Sequence, residues 1–71
     1  MTLAEVNRGD TFQVNSIPDT KVRAQAFRFG ISEGAQVSCV EKVPGGPVIL
    51  QRNLQEIAVG RRLAEKIKVV K

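Results

Sequence analysis

The sequence predicts a small, mainly β protein of about five short strands, one inserted α-helix and a short 3₁₀ or helical turn before the last strand. Three observations support this prediction. Apolar and polar residues alternate in several short segments, glycine and proline turns separate those segments, and only one segment has apolar residues at helical spacing. Short strands with such turns favour a small barrel or sandwich. Closure into a barrel would also remove the exposed strand edges that promote aggregation.

The first strand and the helix follow one another along the chain. Residues 11–17 read TFQVNSI and alternate with the period of two that is typical of a half-buried strand. Asp19 or Thr20 can then cap a helix over about residues 21–29, and Gly30 suits the left-handed conformation that ends a helix. The residues at i, i+4 and i+7, which share the face predicted to be buried, are Val22, Ala26 and Phe29.

The second half of the chain reads as strands separated by reversals. Residues 35–43 alternate, and the Pro-Gly-Gly-Pro sequence of residues 44–47 is a strong turn signal before the next strand. Residues 55–59 form a further strand pattern, residues 60–65 one helical or 3₁₀ turn, and residues 67–69 part of a last strand. The predicted core comprises Phe12, Val14, Val22, Phe29, Val37, Leu50, Ile57, Val59, Ile67 and Val69.

Length and composition limit the class of protein. The 71 residues are enough for a single domain, residues 1–71, whose core must be thin. The chain contains no run of about 18 apolar residues, the length needed to span a membrane, and its N-terminus has no apolar signal region. A cytoplasmic location is therefore expected. Cys39 is the single cysteine, so no internal disulfide can form, and its position in phase with Val37 predicts a buried thiol.

The charge is unevenly distributed. Residues 1–41 carry four basic and five acidic side chains, whereas residues 42–71 carry seven basic and two acidic ones. An excess of +5 in the second part fits an acidic partner, a nucleic acid or an anionic membrane surface, or simply a solvated surface.

The residue types argue against an enzyme. The chain has no histidine, which removes the commonest general base and the commonest transition-metal ligand. One cysteine cannot build a thiolate metal site, and no two carboxylates lie at i, i+3 or i, i+4 spacing. We therefore expect no catalytic residue, no metal site and no cofactor.

A small basic barrel that binds nucleic acid remains an alternative. Such proteins combine a charged groove with aromatic side chains on which bases stack. This chain has no tryptophan or tyrosine, and its three phenylalanines lie outside the basic second part. The aromatic content therefore argues against nucleic acid as the partner.

Residues 22–34, VRAQAFRFGISEG, resemble the signature helix of FeoA-like domains. In that family an arginine opens the helix, apolar residues follow, and a large apolar residue, glycine, an apolar residue, two variable residues and a second glycine come next. The matching residues are Arg23, Phe29, Gly30, Ile31 and Gly34. Ala26 and Phe29 stand where the family usually has leucines.

The resemblance extends over about residues 3–69. A hairpin contains Gly46-Pro47, and Ala64, Ile67 and Val69 match a terminal A-x-x-I-x-V pattern. It implies an SH3-like barrel and a cytosolic accessory or regulatory protein of bacterial ferrous-iron uptake. The implied partner is the membrane ferrous-iron transporter with its cytosolic GTP-binding domain, which could recruit the protein to the inner face of the membrane. The same fold also occurs as a regulatory domain of metal-dependent repressors, but no helix-turn-helix pattern precedes it here, which favours the accessory protein.

The candidate partner-binding surface lies beside the helix. If Val22, Ala26 and Phe29 form the buried face, Phe27 is left at its margin, where a large apolar group is costly unless it packs or binds. Arginine and aromatic residues are enriched at binding hot spots. The candidate residues are Arg23, Phe27 and Arg28, joined by Arg61 and Arg62. In the competing interpretation Phe27 folds over the barrel rim and the arginines are merely solvated.

Overall fold

The computed structural model describes all 71 residues and contains five strands, two helices and a 3₁₀ turn. The helices are α1 and a one-turn helix, α2, and the 3₁₀ turn precedes the first strand. In chain order the elements are the 3₁₀ turn Leu3–Glu5, β1 Thr11–Ser16, α1 Thr20–Arg28, β2 Gln36–Lys42, β3 Val48–Arg52, β4 Gln55–Val59, α2 Arg61–Ala64 and β5 Lys68–Val70.

The five strands form one antiparallel sheet in the order β4-β3-β2-β1-β5. The predicted fold class is confirmed, with α1 inserted after the first strand and α2 before the last. β4 and β5 do not pair with each other, so the sheet has two edges instead of a closed ring of hydrogen bonds. The expectation that closure would leave no strand edge is therefore not met.

Two irregularities shape the sheet. The register between β2 and β3 shifts between Cys39 and Glu41, and the register between β1 and β5 shifts between Val14 and Ser16. Such shifts bend a strand and increase its twist, which allows one sheet to wrap around a core. The β3–β4 hairpin has no shift, and a two-residue connection joins Arg52 to Gln55.

The core consists of nineteen buried residues, all of them apolar. Nine of the ten predicted core residues are buried, and the buried thiol of Cys39 joins them as expected. Phe29 is the exception, because its side chain is 45% exposed. The prediction of Phe29 as a core residue is therefore wrong.

The two ends of α1 explain this correction. At the start, the carboxylate of Asp19, one of the two predicted caps, accepts hydrogen bonds from the amides of Lys21 and Val22 at 2.9 and 3.2 Å. At the other end the helix stops at Arg28, one residue early, and Phe29 becomes the cap. The chain then reverses through Gly30 at φ +79°.

This reversal buries Ile31 in place of Phe29. The amide of Gly30 donates to the Phe27 carbonyl oxygen at 3.0 Å, and the amide of Ile31 donates to that of Ala26 at 2.9 Å. These two bonds define a Schellman motif, which brings the second residue after the cap against the last turn of the helix. Ile31 is fully buried and fills the space under the helix end that the spacing assigned to Phe29.

The N-terminal segment lies along β5. Leu3 and Val6 are fully buried although residues 1–10 show no regular apolar pattern. The amide of Leu3 donates to the Ile67 carbonyl oxygen at 2.8 Å, and the amide of Val69 donates to that of Met1 at 2.9 Å. The outer edge of β5 is thus covered by the chain itself.

Candidate interaction surface

Two phenylalanines are exposed together at the C-terminal end of α1. The side chain of Phe27 is 73% exposed and that of Phe29 is 45% exposed. Neither can enter the core, because Val22 and Ala26 define the buried face of the helix and the turn at Gly30 ends it. A pair of large apolar groups in water is the most conspicuous apolar feature of this surface.

Three neighbouring depressions, which share lining residues in sequence, begin beside these phenylalanines. A depression of about 530 Å³ lies between residues 27–30 and residues 55–57, and a second of about 360 Å³ extends it towards Ala58 and Leu63. A third, of about 320 Å³, shares Leu63 with the second and ends at Lys66. We call this surface the α1–β4 groove; its apolar lining comprises Val22, Phe27, Phe29, Ile57, Ala58 and Leu63.

A hydrogen bond from a charged side chain joins the two sides of the groove. Nη1 of Arg52, at the end of β3, donates to the Gly30 carbonyl oxygen at 2.6 Å. A cation at the C-terminal end of a helix is favourable because free carbonyl groups concentrate negative charge there. The contact holds the end of α1 beside the β3–β4 hairpin and so fixes the width of the groove at that end.

The groove is electropositive. Arg28, Arg62 and Lys66 line it, and Glu56 is the one acidic residue that does so. An apolar surface with an excess of two positive charges is complementary to an acidic, partly apolar partner.

The structure separates the five candidate residues. Phe27, Arg28 and Arg62 line the α1–β4 groove. Arg23 and Arg61 do not line it and make contacts within the fold. Nη2 of Arg61 donates to the Val43 carbonyl oxygen at 3.4 Å.

Arg23 supports the end of β1. Its Nε donates to the Ile17 carbonyl oxygen at 3.2 Å, while Oε2 of Glu33 accepts from the Ile17 amide at 3.1 Å. The Arg23 guanidinium and the Glu33 carboxylate lie 4.0 Å apart. Together they satisfy both backbone groups of a fully buried residue, so a substitution of Arg23 would disturb folding as well as any surface.

Sequence reasoning missed most of the lining residues, among them Phe29, Ala58 and Leu63. The glycine after Phe29 was the available signal, because a Schellman turn removes the residue before the glycine from the buried face. Ala58 and Leu63 carry no signal of their own, since their place in the groove depends on how β4 and α2 pack beside α1.

Three of the acidic side chains accept hydrogen bonds from nearby backbone amides. The backbone amides of Thr2, Asn7 and Val22 hold the pKa values of Glu5, Asp10 and Asp19, respectively, below their ordinary range. Hydrogen bonds to a carboxylate favour its charged form. These carboxylates therefore act as caps, and no group of three or more acidic or cysteine side chains is placed to hold a metal ion.

The Cys39 thiol is protected. Burial is the main cause that raises its pKa above the ordinary value. A buried, protonated thiol is a poor nucleophile and a poor metal ligand.

None of the helices has both the length and the apolar character that crossing a bilayer requires.

Comparison with known proteins gives a consistent result. The model of the FeoA domain family matches residues 1–71. No curated protein sequence matches the chain. Among solved structures, an iron uptake regulatory protein (FeoA) is 28% identical with a TM-score of 0.89, and the match covers 97% of this chain and 93% of that one.

Two further structures show how widely the fold occurs. A zinc complex of FeoA from Stenotrophomonas maltophilia, described as a prokaryotic SH3 domain protein, is 25% identical with a TM-score of 0.82, covering 99% of this chain and 89% of that one. A manganese-dependent transcriptional repressor is 20% identical with a TM-score of 0.81, covering 94% of this chain and 39% of that one, which shows a shared fold alone. With its five-stranded SH3-like sheet and a family match over its whole length, the chain belongs to the FeoA family.

Proposed function

We propose that this protein is an accessory protein of ferrous-iron uptake that acts in the cytoplasm by direct contact with the membrane ferrous-iron transporter. Membership of the FeoA family supports a role in ferrous-iron uptake, because a FeoA structure 25% identical to this chain is described as a possible activating factor of ferrous-iron transport. The observation that carries the mode of action is Phe27, 73% exposed beside Phe29 in an electropositive groove. The proposal is for a binding role, and no reaction is part of it.

The docking face in this proposal is the α1–β4 groove, with Phe27, Arg28 and Arg62 as contact residues. Aromatic and arginine side chains, which are exposed here along one groove, are the residue types that dominate interface energies. Arg23 and Arg61 are kept as peripheral candidates, because their backbone contacts already give them a structural role.

Binding to the full-length transporter in nanodiscs tests the proposal. Phe27→Ala and Arg28→Glu should each weaken binding by about tenfold or more, because they remove a central contact or reverse a charge in the groove. Arg8→Glu is the matched control, because it changes the charge by the same amount as Arg28→Glu. Arg8 is exposed and lines none of the three depressions. Thermal melts of all variants show whether they remain folded.

The outcomes are distinct. Loss of binding in the groove variants, with Arg8→Glu unaffected, supports the proposal. If folded Phe27→Ala and Arg28→Glu both bind like the unmodified protein, the docking face is wrong. If the unmodified protein itself does not bind the transporter, the proposed partner is wrong.

A further inference from the structure

The two edges of the sheet are not equivalent. The N-terminal segment covers β5, through the bonds of its backbone to Ile67 and Val69 and a bridge between Thr2 and Lys68. β4 pairs only with β3, and no backbone group of residues 55–59 has a partner outside that pairing. β4 has no proline, lysine or bulge, which commonly protect an open edge, and Glu56 is its one charged residue.

The hydrogen-bond pattern identifies which backbone groups are free. The Cys39 amide and carbonyl group bond to Asp10 and Gly9, on the β1 side. The N–H and C=O groups of successive residues point to opposite sides of a strand. Those of Ser38 therefore point to β3, and the N–H and C=O groups of its partner Gln51 point to β2.

The alternation then continues across β3. Leu50 and Arg52 point their backbone groups to β4, where they face Ile57 and Gln55. The N–H and C=O groups of Glu56 and Ala58 therefore point away from the sheet. Two donors and two acceptors stand in a row on the open edge.

This free edge belongs to the α1–β4 groove. Glu56 and Ala58 both line the groove, opposite Phe29 and Arg28. A segment that entered the groove would meet the free backbone groups along one side and the phenylalanines along the other. Arg28, Arg62 and Lys66 would face its charged side chains.

We infer that the groove binds an extended segment of the transporter as an additional strand on β4. The segment carries a large apolar side chain that contacts Phe27 and Phe29 and at least one acidic side chain near Arg28 or Arg62. Strand addition gives affinity through the main chain, while side-chain pockets give specificity. This inference rests on the proposed function and adds the chemistry and conformation of the bound segment.

The substitution Ala58→Pro tests strand addition directly. Proline removes one free N–H and obstructs a neighbouring strand, yet it is tolerated on an edge strand where that N–H faces solvent. Ala58→Ser, which keeps the N–H and a small side chain, is the matched control. With the full-length transporter in nanodiscs, Ala58→Pro should bind at least about tenfold more weakly than Ala58→Ser, which changes the side chain but keeps the free N–H.

Hydrogen exchange of the unmodified protein provides a second measurement that needs no substitution. In the complex, the β4 fragment containing residues 55–59 should gain two slowly exchanging amides, those of Glu56 and Ala58. If β4 gains no protection while the transporter is bound, strand addition is wrong even if Ala58→Pro fails to fold.

The remaining outcomes separate the two proposals. If folded Ala58→Pro binds like the unmodified protein, the inference is wrong and the proposed function stands. If the unmodified protein does not bind the transporter, both are wrong. If β4 becomes protected without the transporter, at concentrations where sedimentation shows a larger species, the occupant is a second copy of this chain and the inference is wrong.

Discussion

The amide of Ile31 donates a 2.9 Å hydrogen bond to the carbonyl oxygen of Ala26, and both side chains are fully buried. This bond ends α1 and places an isoleucine under the helix end. It leaves Phe29 in the groove, so one backbone contact decides which side chain stabilises the fold and which is available for binding.

The first prediction compares these two neighbours. Ile31→Ala should lower the free energy of unfolding by about 2–5 kcal/mol, because it leaves a cavity in a thin core. A buried phenylalanine would lose about 3–5 kcal/mol on truncation, but Phe29→Ala should cost below about 1 kcal/mol because its side chain is partly in water. Urea unfolding of both variants measures the difference, and a larger loss for Phe29→Ala would contradict the packing.

The second prediction concerns the cap of α1. Asp19→Ala should lower the melting temperature at neutral pH, because the amides of Lys21 and Val22 lose their acceptor. Asp19→Asn retains an acceptor oxygen and should lower it less, since it loses only the contribution of the charge. Thermal melts of the pair test this, and equal losses in both variants would show that charge, not capping, is what matters.

The third prediction is the pH dependence of stability. The pKa values of Glu5, Asp10 and Asp19 are lowered in the folded protein, so the unfolded chain binds more protons in acid. Their stabilisation is complete above the unfolded pKa values of about 4 and is lost as pH falls through the lower folded values. Melting temperatures from pH 7 to pH 2 should therefore fall in acid. The triple variant Glu5→Gln, Asp10→Asn, Asp19→Asn should show a shallower fall, and an unchanged slope would contradict the assignment.

The fourth prediction concerns Cys39. Because burial raises its pKa and shields the sulfur, alkylation by iodoacetamide at pH 8 should be slow in the folded protein. In urea the rate should rise to that of free cysteine, which serves as the reference. A folded protein that reacts as fast as free cysteine would contradict the burial of this side chain.

The fifth prediction is that the protein has no tight intrinsic iron site. Iron(II) prefers converging imidazole and carboxylate ligands, and this chain has no histidine and no cluster of three or more acidic or cysteine side chains placed to bind a metal. Anaerobic calorimetry with ferrous iron should show no stoichiometric binding at micromolar concentration. A one-to-one isotherm would instead make the domain a metal sensor.

Local signals were sufficient for most of the fold. The alternation of residues 55–59 predicts β4 with its observed bounds, and the position of Asp19 predicts the observed cap. The prediction of Phe29 as a core residue was wrong because helical spacing was extended one residue past Arg28, where the helix ends before the reversal at Gly30. Leu3 and Val6 carry no periodic pattern, because their burial depends on contact with β5 and not on a regular element.

The candidate surface was harder to predict. The position of Phe27 at the margin of the buried face followed from helical spacing, but spacing did not decide whether the side chain is exposed or folds over the barrel rim. The separation of Arg23 and Arg61 from the groove depends on backbone carbonyl groups far along the chain. Pairing between distant segments likewise decides that β4 is an open edge. Such tertiary relationships leave no trace in local spacing.

The N-terminal segment covers the edge of β5, which limits how far the open edge of β4 can promote aggregation. A sheet with two free edges can add copies at both ends and grow into a filament. Here residues 1–3 occupy one edge, so two molecules that pair β4 to β4 form a closed, two-fold assembly with no free edge left. The chain can therefore keep one edge available without the risk of open-ended polymerisation.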